Sequence, residues 1–67
     1  MVIELHDEVW FINNNRIQKG IIIKKEEDVI EGWYSLWRIK TKYGSQVIED
    51  YRLFQTKDAL VKEMSSE

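Results

Sequence analysis

Residues 31–44 read EGWYSLWRIKTKYG, in which Trp33, Tyr34, Trp37 and Tyr43 alternate with Arg38, Lys40 and Lys42 between two glycines. Interleaved aromatics and cations describe a surface that grips nucleic acid. They also describe a β-strand with one side in a core and the other in water. A helix is the third reading, because Trp33 and Trp37 are four apart. It fails at Lys40, where the apolar period breaks, and glycine bounds the stretch on both sides. The aromatic and β-branched content predicts a strand. Trp33, Ser35, Trp37, Ile39, Thr41 and Tyr43 then share one face, whose apolar members are core material. Tyr34, Leu36, Arg38, Lys40 and Lys42 share the other.

The flanking sequence repeats this style. VWFI (9–12) is β-rich and stops at Asn13-Asn14-Asn15, residues that tolerate left-handed backbone and predict a hairpin turn. In RIQKGIIIKK (16–25), Ile17, Lys19, Ile21 and Ile23 fall on one strand face, and Gly20 marks a bulge or sharp bend. EEDVIEG (26–32) reads as an acidic connection, with Val29 and Ile30 capping the core. Tyr43-Gly44-Ser45 turns the chain into SQVIEDYRLF, a further strand with an irregularity near Asp50. The end differs: Thr56 is an N-cap, Asp58 lies in a first helical turn and Lys62 near the last. Leu60, Val61 and Met64 form an apolar stripe, predicting a short amphipathic helix over about 57–64 and a fraying tail beyond it.

Short strands separated by turn signals every ten to twelve residues or so predict a mainly β domain. The expected fold is a small SH3-like antiparallel barrel of four to five strands over about residues 8–55, followed by the C-terminal α-helix. The whole of 1–67 forms a single domain. The alternative is an open antiparallel sheet with the helix packed across one face.

The pattern Asp7-x-Val9-Trp10-x-Ile12-x-Asn14-x-x-Ile17-x-x-Gly20-x-Ile22, then Trp37-x-Ile39 and Gly44, then Leu53-Phe54-x-Thr56-Lys57-Asp58-x-Leu60, spans nearly the whole chain. It resembles a group of small uncharacterised bacterial and bacteriophage proteins of SH3-like character. The resemblance implies the barrel fold and a phage or mobile-element origin. It carries no catalytic motif, so it transfers no functional residue.

Bulk properties narrow the function further. At 67 residues the core must absorb most large apolar side chains, leaving few to line a catalytic pocket. The chain has no cysteine, hence neither a disulfide framework nor a thiolate metal site, which points to a reducing cytoplasm. MVIELHDEV lacks the cationic start and apolar run of a signal peptide. Apolar runs of about four residues fall far short of a membrane span. The net charge of −2 gives no general pull toward nucleic acid or anionic lipid.

Chemistry-bearing residues are sparse. His6, the only histidine, reads as a solvated side chain before the first strand rather than a metal ligand. Glu26, Glu27, Asp28 and Glu31 lack the spacing of a calcium loop and read as a solvated hairpin tip. Glu49 and Asp50 are adjacent in a strand, so they point to opposite faces and cannot flank one bond. No catalytic residue, cofactor or metal is expected, and the chain reads as a non-enzyme. The leading function is a protein-interaction module, a phage or mobile-element accessory factor, binding through Trp33, Tyr34 and Trp10. A homodimer is a variant of it. The alternative is nucleic-acid binding by Arg38, Lys40 and Lys42 with Tyr43 stacking, in a row that Arg16 and Lys24 widen if the register suits. The bland reading of that row is a wet outer face that blunts a sheet edge.

Overall fold

A computed structural model describes residues 3–29 and 32–65. Four antiparallel strands, β1 (Glu8–Asn13), β2 (Arg16–Val29), β3 (Tyr34–Thr41) and β4 (Gly44–Glu49), form one sheet in chain order. A 3₁₀ turn, η1 (Asp50–Arg52), and the helix α1 (Lys57–Ser65) follow. The protein is therefore mainly β with a C-terminal helix, and its four-stranded sheet is unclosed. The expected roles of Ile30 and of residues 66–67, and Glu31 of the acidic run, lie outside the described residues.

Turn chemistry sets the hairpins. Asn14 and Asn15 both have positive φ, 53° and 62°, between the paired residues Asn13 and Arg16. Two left-handed residues are what a tight two-residue hairpin matched to strand twist requires. At the β3–β4 turn Thr41 pairs with Gly44, whose φ is 118°. The Thr41 hydroxyl donates to the Gly44 carbonyl (3.0 Å) and accepts from the Tyr43 amide (3.1 Å).

β2 is the spine of the sheet. Its first part, Arg16–Ile21, pairs with β1, and Ile21–Val29 pairs with β3, so the strand passes from one partner to the other. Gly20 stands beside that handover without being a bulge, since it stays in register opposite Val9. The register shifts come later, between Ile22 and Lys24 and between Lys25 and Glu27. Gly20 is required by close approach: a Cβ there meets Ile39 Cγ2 at 2.5 Å and the Lys40 carbonyl at 2.8 Å.

Val9, Phe11, Ile22, Ile39, Ile48 and Leu53 make the core, with Ile3 and Trp37 packed against it. The Ile17, Lys19, Ile21 and Ile23 set faces outward, and the inward set of β2 is Gly20 and Ile22. On α1 only Leu60 is buried, while Val61 and Met64 are exposed, so the expected three-residue stripe contributes one residue to the interior. The Thr56 hydroxyl caps α1 by accepting from the Ala59 amide at 3.0 Å.

The sheet curls without closing. Trp10 and Phe54 exchange two backbone hydrogen bonds (2.7 and 2.8 Å), bringing the chain after η1 back onto the outer edge of β1. Asn13 Nδ2 of β1 donates to Gln46 Oε1 of β4 at 2.8 Å, and Gln46 Nε2 donates to Gln18 Oε1 of β2 at 3.4 Å.

The segment 26–29 is strand, not the solvated hairpin tip expected from its acidity. Its carboxylates meet cations on β2 itself and on β3. Glu26 receives Arg38 Nε and Nη2 at 3.4 and 3.3 Å and Lys24 Nζ at 3.6 Å. The Arg38 hydrogen bond and charge hold its carboxyl below the usual range.

Candidate functional site

The Val29–Tyr34 end of the β2–β3 pair gathers exposed aromatics and carboxylates. Gly32, with φ of 85°, ends the turn into β3 and leaves Trp33 outside the sheet, 77% exposed. Trp33 thus departs from the core set of the odd face, because the strand that would impose alternation begins only at Tyr34. Tyr34 is half-buried and meets Tyr51 edge to face, with ring centroids 5.3 Å apart and planes at 78°. Tyr51 is itself 65% exposed.

Local hydrogen bonds fix this arrangement. At η1 the Leu53 amide donates to the Asp50 carbonyl at 3.0 Å. Asp50 Oδ2 accepts from the Ser35 amide at 3.2 Å, tying η1 to the start of β3. The Ser35 hydroxyl donates to Asp28 Oδ1, and Lys25 Nζ pairs with the same oxygen at 2.8 Å. Lys25 first and then the Ser35 hydroxyl hold the Asp28 carboxyl below its usual range. Partial burial, followed by the Glu49 carboxylate, raises the Tyr51 phenol.

Two shallow clefts share Asp50. One of about 300 Å³ is lined by Asp28, Gly32, Trp33, Tyr34, Ser35 and Asp50. The other, about 340 Å³, is lined by Ile3, Trp37, Asp50 and Tyr51. Trp37 Nε1 is buried and has no acceptor among the described residues. Around the two clefts stand the carboxylates Asp28, Glu49 and Asp50 and two cations, Lys25 and Arg52, which pair with Asp28 and Glu49.

The expected basic row does not act as a unit. Arg38 is turned to Glu26, and its Nη1 donates to Ser45 Oγ at 3.3 Å. Lys40 and Lys42 are exposed and form no ion pair among the described residues. The register places Ile21 opposite Lys40, so odd residues of the first part of β2 stand beside even residues of β3. Lys19, not Arg16, therefore continues the row there. The first register shift then sets Lys24 opposite Arg38, where both converge on Glu26.

Trp10 is not brought to Trp33. It lies half-buried on β1 with Lys19 Nζ 5.5 Å and Lys57 Nζ 6.0 Å from its ring centroid. It lines a third cleft with Arg16, Lys19, Lys42 and Tyr43. Tyr43 is also outside the core set of its face, being 69% exposed in the turn, with Lys42 Nζ 5.1 Å from its centroid.

Tyr51 and Asp50 were not legible as site residues. The irregularity near Asp50 was the available signal: a break between core residues Ile48 and Leu53 frees an intervening aromatic from the alternation that would bury it. Among the described residues no group of His, Asp and Glu is placed to hold a metal ion, and no helix is long and apolar enough to cross a membrane. Comparison with protein-family models, curated proteins and solved structures yields no match.

Proposed function

We propose that this chain is a small, non-catalytic protein-interaction module whose binding surface is the Trp33–Tyr34–Tyr51 end. Its occupant is an extended peptide segment bearing Arg or Lys. The observation that carries this reading is Trp33, exposed on a domain with few large side chains to spare for its core. Tyr34 shares the cleft of Trp33 and meets Tyr51, which lines the neighbouring cleft, and the excess of carboxylates favours a cationic ligand. Aromatic-lined grooves suit extended, proline-containing segments, which lose little entropy on binding.

An SH3-like barrel is part of the same proposal. Its support is the four-strand meander followed by η1 and by the Trp10–Phe54 bridge back to β1, with the Asn13–Gln46–Gln18 contacts spanning the curled sheet. A cytoplasmic phage or mobile-element accessory role accompanies it.

The test is fluorescence anisotropy with a labelled peptide of alternating Arg and Pro, against a Glu/Pro peptide of equal length. The reading expects saturable binding of the first, lost in Trp33→Ser, and none of the second. Equal binding of both peptides, or binding that survives Trp33→Ser, contradicts it.

A further inference from the structure

The other end of the β2–β3 pair has the opposite character. Pairing with β3 starts at Ile21, so the edge of Arg16–Gly20 that faces β3 has no strand partner. Beyond Lys40 the chain turns into β4, and a cleft of about 310 Å³ opens between that edge and the turn. Trp10, Arg16, Gln18, Lys19, Lys42 and Tyr43 line it. Lys57 stands nearby, over the Trp10 ring. Arg16, Lys42 and Lys57 are in no ion pair among the described residues. Lys19 has a loose one with Glu8 at 3.8 Å. A chain of net charge −2 thus concentrates four cations around two aromatic rings.

We propose that this cleft binds single-stranded nucleic acid, with bases stacked on both Tyr43 and Trp10 and phosphates held by Arg16, Lys19 and Lys42. The site is distinct from the Trp33 end and does not depend on it. Flat rings beside unpaired cations match a ligand that presents π-faces and phosphates together. A phosphorylated peptide would use the cations and leave the rings without a role, and a duplex keeps its base faces inside the stack.

The ring faces now carry ammonium groups, Lys19 and Lys57 over Trp10 and Lys42 over Tyr43. Base stacking on an aromatic side chain outweighs an exposed cation–π contact. An incoming base therefore displaces the ammonium, which is left free to meet the adjoining phosphate. The amide of Gln18 in the wall can bond a base edge.

The experiment is anisotropy of labelled oligo-dT and oligo-rU over a salt series, with duplex DNA and inorganic polyphosphate as competitors. Three phosphate contacts predict a slope of log affinity against log salt of about −2, falling to about −0.7 in the Arg16→Gln, Lys42→Gln double variant. Tyr43→Ala, at an exposed turn position, weakens binding roughly tenfold. Lys25→Gln and Trp33→Ser, at the far end, leave it unchanged. The proposal is overturned by absence of binding at the lowest salt, by full affinity in Tyr43→Ala, or by polyphosphate or duplex competing as well as unlabelled oligo-dT.

Discussion

Tyr34 at the start of β3 and Tyr51 on η1 meet edge to face at 5.3 Å, joining two segments that are seventeen positions apart in the chain (51 − 34). Tyr34 of this pair lines a cleft with Trp33, which is 77% exposed and outside the core cluster. Trp33→Ser should therefore separate binding from folding. Its urea midpoint should correspond to a stability within about 0.5 kcal/mol of the parent, while affinity for the Arg/Pro peptide falls by about tenfold or more, as for an interface anchor. Parallel loss of both would place Trp33 in the folding account instead.

Glu26 and Asp28 are held below the usual carboxylate range by Arg38 and by Lys25, respectively. A depressed folded-state pKa contributes stability that is fully present above the unfolded-state value, roughly 4 for these side chains. That stability is lost as pH falls through the folded-state value. Urea midpoints should therefore decline on acidification from neutral pH, and less steeply in Glu26→Gln, which at pH 7 starts lower because Arg38 and Lys24 lose their partner. Parallel acid limbs in parent and variant would contradict the pairing.

Gly20 and Gly32 should fail for different reasons when changed to alanine. At Gly20 the added Cβ meets the Lys40 carbonyl and Ile39, and forced overpacking costs about 1–3 kcal/mol. At Gly32 nothing lies within 4 Å, and the loss is that of left-handed backbone, about 1–2 kcal/mol. Asparagine, which tolerates that conformation, should rescue Gly32 and worsen Gly20. Thermal unfolding of the four variants distinguishes the two mechanisms.

Thr56→Ala removes the oxygen that accepts from the Ala59 amide and should cost about 1 kcal/mol. Thr56→Ser should restore most of it. Because α1 buries Leu60 alone, amide exchange should show the helix opening before the sheet.

Where local chemistry was decisive, sequence and structure agree. The asparagine triplet, the Thr56 cap and the placing of Trp37 and Ile39 against the core each depend on near neighbours in the chain. Long-range registry was not legible. The two shifts in the β2–β3 pairing decide that Lys24 faces Arg38 and that both meet Glu26, and no local signal marks either shift. The acidity of 26–28 suggested a loop because its compensating cations lie partly on another strand. Alternation likewise overreached at Trp33 and Tyr43, which sit just outside the strand whose pleat would have buried them. The candidate site was half visible for that reason: Trp33 and Tyr34 come from the stretch itself, whereas Tyr51 and Asp50 arrive through η1.

Whether the proposed peptide site lies at the Trp33 end is decided by an NMR titration of isotope-labelled protein with the Arg/Pro peptide. Binding at this end gives saturable shifts in the Trp33 and Trp37 indole N–H signals and in the amides of Tyr34, Ser35 and Tyr51, with the Trp10 indole unmoved. Shifts centred on Trp10 and Tyr43, or none at saturating peptide, would contradict it.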